Sequence, residues 1–249
     1  MREITGVVSG KGGVGKTTTT VNLGMAMHKL GSNVVILDGD VKNPNFGMHL
    51  GTLNYDVTIN EAIEKEMPLL EALHIHETGL RFIPSHLSLH YLDTDSSKVK
   101  NMFGNFNSKI LIDSPPGLDK TAIDIMDACD NIIAVTRPYL PDITDCMKTI
   151  EVARDMGKQV KGIVINSTRY EDYEVPQKEI EAITGVPVIQ KIPWDENVLK
   201  SLAKKKPLVD ARNISPAAIS YFELASKLTG IEYRKPMLLD LRRFFAPRF

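Results

Sequence analysis

Lys16 and Thr17 sit in a stretch, Ser9 to Thr20, that reads S-G-K-G-G-V-G-K-T-T-T-T, and these residue types at this spacing suit the capture of a polyphosphate. Glycines at 10, 12, 13 and 15 carry no Cβ to stop backbone N–H groups, that of Val14 included, from turning inward around an anion. Gly10, Gly15, Lys16 and Thr17 satisfy G-x-x-x-x-G-K-[ST], in which the lysine reaches the β- and γ-phosphates and the hydroxyl reaches Mg²⁺. A helix opening near Lys16 adds the positive end of its dipole.

Two further loops carry carboxylates. One reads Leu37-Asp38-Gly39-Asp40-Val41-Lys42-Asn43-Pro44-Asn45; the other is an acidic strand end, Ile110-Leu111-Ile112-Asp113, running into Ser114-Pro115-Pro116-Gly117. An apolar strand ending in Asp is the pattern of a Walker B carboxylate, so Asp113 is expected to hold Mg²⁺, while Gly117 lets the backbone approach a γ-phosphate. A single Asp at a strand end is more often a helix N-cap. Several such loops beside a phosphate cradle favour chemistry.

The elements that must position these loops follow from periodicity. Short β-branched runs alternate with longer segments of helical period, the pattern of a parallel sheet covered on both faces. Strands are expected near residues 3–9, 33–38, 80–84, 109–113, 131–136, 160–166 and 187–191. Helices are expected near 16–30, 58–66, 95–104, 120–128, 142–156, 176–184, 195–205 and 215–229. Gly31, Gly157, Gly185 and Gly230 mark helix ends, and Ser215-Pro216 marks a helix start. The fold class is therefore α/β, a doubly wound, mostly parallel sheet of about seven strands with helices on both faces. Ligands of such sheets bind beyond the carboxyl ends of the strands, where the acidic loops fall.

Composition limits the alternatives. The 249 residues are 43% hydrophobic and 24% charged, which suits one globular domain, here 1–233, plus a tail, 234–249. The net charge of -1 offers no global attraction to nucleic acid or anionic lipid, so any such binding needs a local patch. Cys129 and Cys146 are the only cysteines and lack C-x-x-C spacing, which fits a reducing compartment and argues against a zinc or iron–sulfur site. No apolar run approaches the ~18 residues of a spanning helix, and the expectation is a cytoplasmic protein.

With Lys11 added to the P-loop pattern, K-G-G-V-G-K-T-T is similar to the deviant Walker A of the MinD/ParA group of ATPases, and the chain resembles a MinD-type member. Asp38-x-Asp40 with Pro44-Asn45, Asp113-Ser-Pro-Pro-Gly117, Asn166, and Ile192-Pro193-x-Asp195 extend the resemblance over almost the whole chain. The resemblance implies that Lys16 binds the β- and γ-phosphates of ATP, Thr17 ligates Mg²⁺ with Asp113 and Asp38 nearby, and Thr18 contacts the α-phosphate. Lys11 would cross to the ATP of the other subunit in a face-to-face homodimer. Asp40 would polarise the attacking water, with Asn45 helping to position it and Asp38 close by. Asn166 and the segment Pro193, Trp194 and Asp195 would recognise adenine.

The tail after Gly230 reads I-E-Y-R-K-P-M-L-L-D-L-R-R-F-F-A-P-R-F. On a helical wheel Met237, Leu238, Leu241, Phe244 and Phe245 share one face, and Asp240, Arg242 and Arg243 take the other. Each apolar side chain yields ~1.5–3 kcal/mol when fully buried, but interfacial burial is partial and ordering costs ~1–2 kcal/mol per residue. One tail is a marginal membrane anchor, and two on a dimer gain effective concentration. An amphipathic helix equally docks on its own protein or in a partner's groove, and the wheel does not separate these.

The resulting expectation is an ATP- and Mg²⁺-dependent ATPase whose dimer attaches to an anionic membrane and positions division or polar machinery through an unidentified protein partner. The alternatives are a ParA-like partition ATPase that binds DNA nonspecifically, with Lys204-Lys205-Lys206 as a candidate patch, and a nucleotide-switched scaffold whose tail docks a protein. His86 and His90 have metal-like spacing without an acidic or cysteine partner to complete a site.

Overall fold

The computed structural model describes residues 2–86, 94–104, 106–212 and 214–236. The tail residues Met237 to Phe249 and His90 lie outside the described residues.

Eight strands form one sheet in the order β3-β4-β2-β5-β1-β6-β7-β8. They are β1 (Glu3–Val8), β2 (Val34–Asp38), β3 (His74–Ile75), β4 (Arg81–Ile83), β5 (Lys109–Asp113), β6 (Asn131–Thr136), β7 (Gln159–Thr168) and β8 (Val188–Pro193). Every pairing is parallel except β3 with β4. The seven expected strands are present. The eighth, β3, is two residues long, too short and too polar to leave a period in the sequence.

The period of two along each strand divides the core. Val35 and Leu37 of β2 point into one cluster with Ile59, Ala62, Ile125, Ile150 and Ile180; Val34 and Ile36 point into the other with Val21, Leu23, Val209 and Tyr221. The first cluster is roofed by α3 (Ile59–Glu64), α4 (Lys120–Asp127), α5 (Leu140–Asp155) and α6 (Gln177–Thr184), the second by α1 (Lys16–Lys29), α8 (Leu208–Ala211) and α9 (Pro216–Thr229). Among the described residues there are also α2 (Phe46–Leu50), which like α8 the periodicity did not signal, and α7 (Glu196–Ala203). The helix expected over 95–104 is a 3-10 helix, Ser96–Asn101, capped by the Asp95 carboxylate. Asp119 and Ser215 cap α4 and α9 through their side chains, as their residue types favour.

Beyond α9 the chain folds back on it. Tyr233 stacks on Phe222 with ring centroids 4.7 Å apart, and Lys235 pairs with Glu223. The segment that leads into the tail is thereby fastened to the helix that packs on α1.

Both cysteines are buried in the first cluster, and burial pushes each thiol up to about 12. A thiol is reactive as the thiolate, so neither should react with a maleimide in the native protein at about pH 8, and both should react in denaturant. Labelling of either in the folded protein would contradict this packing.

Candidate functional site

The site is built where β1, β5 and β2 end side by side. Asp113 closes β5, lies opposite Val7 of β1 on one side and pairs in register with Asp38 of β2 on the other. Beyond β1 the chain runs through the glycine-rich loop into α1, so Lys16 and Thr17 arrive beside Asp113. Lys16 Nζ lies 2.9 Å from Asp113 Oδ1 and Thr17 Oγ1 donates to Asp113 Oδ2 at 2.6 Å. Thr20 Oγ1 donates to Oδ1 at 3.2 Å. Lys16 is only 7% exposed, so this charge pair sits where water screens it little.

Close approaches fix the path of the glycine-rich loop. A Cβ at Gly10 would lie 2.3 Å from the backbone of Asp145 on α5. At Gly15 φ is +91° and a Cβ would lie 2.0 Å from the Asn166 amide nitrogen, which itself donates to Val14 O at 2.8 Å. Gly12 and Gly13 face open space. The loop is therefore pinned at both ends and open between them. Gly117 follows β5 and donates its N–H to Ser9 O at 3.0 Å, which draws the Pro-Pro-Gly turn against the same loop.

The acidic loop after β2 folds over the third side. Asp38 is 1% exposed and accepts from the backbone N–H groups of Asp40, Asn45 and Phe46 at 3.1–3.2 Å. Burial, then the neighbouring Asp113 carboxylate, push its pKa well above the usual range, against the two N–H bonds from Phe46 and Asn45. Asp40 is also raised by burial, with the Lys16 ammonium opposing. Asn45 spends its amide on Asn43 O.

Magnesium and a nucleotide fit these residues. Glycines leave room along the loop, one buried ammonium lies on the Asp113 carboxylate beside it, and that carboxylate also accepts the Thr17 hydroxyl. Mg²⁺ is commonly held by one or two protein oxygens plus substrate phosphates and water, which is what Thr17 and Asp113 offer. Among the described residues no group of three or more His, Cys, Asp or Glu side chains is arranged to hold a metal by itself.

The remaining expected residues are dispersed. Asn166 is buried near the end of β7 and buttresses the P-loop. Pro193, Trp194 and Asp195 lie at the end of β8, three places along the sheet from β1. Asp195 caps α7 by accepting from Asn197 N at 2.9 Å, and Trp194 is 45% exposed with the Arg169 guanidinium 4.4 Å from its ring centroid. Lys11 pairs with Asp142 of α5, a buried carboxylate that also accepts from Arg137 Nε at 2.6 Å. Sequence reasoning missed Thr20, Arg137 and Asp142. Thr20 lies one turn beyond Lys16 and was open to discovery by helical spacing, whereas Asp142 reads as an ordinary first-turn acid.

Comparison with known proteins agrees with this geometry. Residues 6–208 match the CbiA family, the CobQ/CobB/MinD/ParA nucleotide binding domain. An uncharacterised ATP-binding protein of Methanocaldococcus jannaschii is 32% identical over 96% of this chain and 92% of its own length. A putative septum site-determining protein MinD of Mesostigma viride is 31% identical over 94% of this chain and 85% of its own. The structure of septum site-determining protein MinD with Mg-ADP from Pyrococcus horikoshii superimposes with a TM-score of 0.87 at 27% identity, covering 92% of this chain and 96% of that one. With the P-loop lysine and threonine on the carboxylate that ends β5, and the match running through the whole sheet, the chain belongs to the MinD/ParA family of nucleotide-binding P-loop ATPases.

Proposed function

We propose that this chain is a Mg²⁺-dependent ATP hydrolase that dimerises on ATP, and that its nucleotide state controls attachment of its C-terminal tail to an anionic membrane surface. The observation that carries the proposal is the pair of lysines on one P-loop with different surroundings. Lys16 is buried on Asp113, facing the cradle, while the Lys11 side chain is 37% exposed and rests on a carboxylate that keeps a second cation, Arg137. Lys11 can leave Asp142 without stranding a buried charge, which is what a lysine delivered to a second subunit requires.

The residue roles follow from phosphoryl-transfer physics, in which positioning and charge neutralisation do most of the work. Mg²⁺, when bound, offsets the charge of the phosphates and orients them. Thr17 and Asp113 would hold it, with Asp38 on the neighbouring strand, and Lys16 and the N–H groups from Gly10 to Thr18 would hold the phosphates. Asp40, raised in pKa by burial, orients and polarises the attacking water, with Asn45 of the same loop helping to position it. Asn166 and the segment Pro193 to Asp195 serve the base, and Gly117 senses the γ-phosphate end. Met237, Leu238, Leu241, Phe244 and Phe245 supply the lipid-facing side of the tail and Arg242 and Arg243 its basic side. The location this implies is cytoplasmic, with peripheral membrane attachment in the ATP state.

Co-sedimentation with vesicles of mixed neutral and anionic lipid tests the switch. Binding is expected with ATP, at least about tenfold less with ADP, and none when residues 237–249 are removed. Equal binding in both nucleotides, or none in either, overturns it. Salt-sensitive binding to arbitrary DNA in place of vesicles would favour a ParA-like role.

A further inference from the structure

We propose that Asn60 is a positioning residue for hydrolysis, fixing the loop that carries Asp40, with Ser85 sharing the task; the inference rests on the ATPase reading above. Asn60 lies on α3 and is completely buried, between Ile59 and the apolar residues Ala62 and Ile63. A buried amide is costly unless its hydrogen-bonding groups are matched. Here they are matched to three separate segments. Nδ2 donates to Val41 O and to Thr94 Oγ1, both at 3.2 Å, and Oδ1 accepts from His86 N at 2.9 Å. A carbonyl on one side and a backbone N–H on the other fix which end of the amide points where.

Val41 follows Asp40 directly. On the other flank, Ser85 Oγ donates to Asp38 O at 2.7 Å, and Ile59 N donates to Pro84 O at 2.9 Å, locking the exit of β4 to the start of α3. The two carbonyls that bracket Gly39 and Asp40 are thus held from outside the loop by side chains of Asn60 and Ser85. Among the described residues Asp40 has no such tie of its own. Its backbone N–H goes to Asp38 Oδ1 at 3.2 Å and its Oδ1 accepts from Asn43 N at 3.0 Å, both within the loop. Gly39 N on Asp113 O, at 2.9 Å, anchors the end nearest the sheet. Where the Asp40 carboxylate sits relative to Lys16 is then set largely by how firmly Asp38 O and Val41 O are gripped. An error of ~1 Å in placing a catalytic group costs on the order of a hundredfold in rate, whereas phosphate binding by Lys16 and the P-loop does not pass through these contacts.

Phosphate release by the full chain with ATP and Mg²⁺ tests this. Asn60→Ala should lower kcat about tenfold or more with KM for ATP within about twofold, and Ser85→Ala should lower kcat in the same direction by less. Ile63→Ala, on the same helix and buried in the apolar cluster, should lose comparable thermal stability and keep the wild-type kcat. Wild-type kcat in both Asn60→Ala and Ser85→Ala overturns the proposal, and so does an equal kcat loss in Ile63→Ala. Should Asn60→Ala fail to fold, Ser85→Ala against Ile63→Ala decides alone. Asp40→Asn separates this from the reading beneath it. If Asp40→Asn turns over normally, the assignment of Asp40 fails; if it is dead while Asn60→Ala and Ser85→Ala are normal, only the positioning role fails.

Discussion

Replacing Lys16 with Ala is expected to abolish ATP binding, as measured by equilibrium dialysis or by a fluorescent nucleotide analogue. The Lys16 ammonium is the cation that the Asp113 carboxylate holds beside the cradle, 2.9 Å away and 7% exposed. Charge-assisted contacts to phosphate are each worth roughly 1.5–3 kcal/mol, and in the proposed role this lysine spans two phosphates, so affinity should fall by at least about a hundredfold. Its removal also leaves the Asp113 carboxylate without the ammonium, holding the Thr17 and Thr20 hydroxyls. A buried carboxylate stripped of its cation destabilises the fold, so Lys16→Gln is the companion variant. It keeps a hydrogen-bond donor toward Asp113 while removing the charge. Loss of binding in a folded Lys16→Gln assigns the effect to the phosphates, and unchanged affinity there would take Lys16 out of the site.

Much of this site was legible because phosphate chemistry constrains residue type and spacing within one short stretch. Gly10, Gly15, Lys16 and Thr17 announce themselves, and an apolar strand ending in Asp113 points to the same place once the sheet is recognised as parallel. The strands were legible for a related reason. A strand covered on both faces must be a continuous apolar run, as Val34 to Leu37 is, whereas β3 at the sheet edge carries no such requirement. What the sequence concealed are contacts between residues far apart in the chain that look ordinary where they stand. Asn60 reads as one polar residue in an amphipathic turn, and only the fold shows that its partners are Val41, His86 and Thr94. Asp142 reads as a helix N-terminal acid, and only the fold shows Lys11 and Arg137 on it. Asp195 carries two demands at once. Its carboxylate caps α7 and accepts from Ala217 N at 3.3 Å, so any nucleotide contact in this segment falls to the backbone and to Trp194.

Lys11→Ala is the variant that asks whether the site is complete within one chain. Turnover is expected to fall on the order of a thousandfold or more, the range for a cation supplied to a phosphoryl-transfer transition state, while ATP binding through Lys16 persists. That loss alone does not show which subunit Lys11 serves, because a lysine acting within its own chain would give the same result. Mixing answers it. When Lys11→Ala is combined with an equal amount of Asp40→Asn, two variants each inactive alone, the mixed dimer pairs one intact Lys11 with the intact Asp40 of its partner. If Lys11 acts across the dimer, that composite site works. Random exchange makes about half of the dimers mixed with one working site in each, so about a quarter of the wild-type rate should return. If Lys11 acts within its own chain, every site lacks one residue and nothing returns. The contact with Asp142 sets the energetic side of the same question. Departure of Lys11 leaves Asp142 with Arg137, so the transfer exchanges one half-exposed ion pair for contacts with phosphate rather than exposing a bare buried charge. Asp142→Asn, which loosens that hold while keeping a hydrogen-bond partner for Arg137, should therefore leave the quarter-rate recovery in place when carried on both variants. Recovery that vanishes with Asp142→Asn would mean that Asp142 orders the dimer face rather than merely parking the lysine.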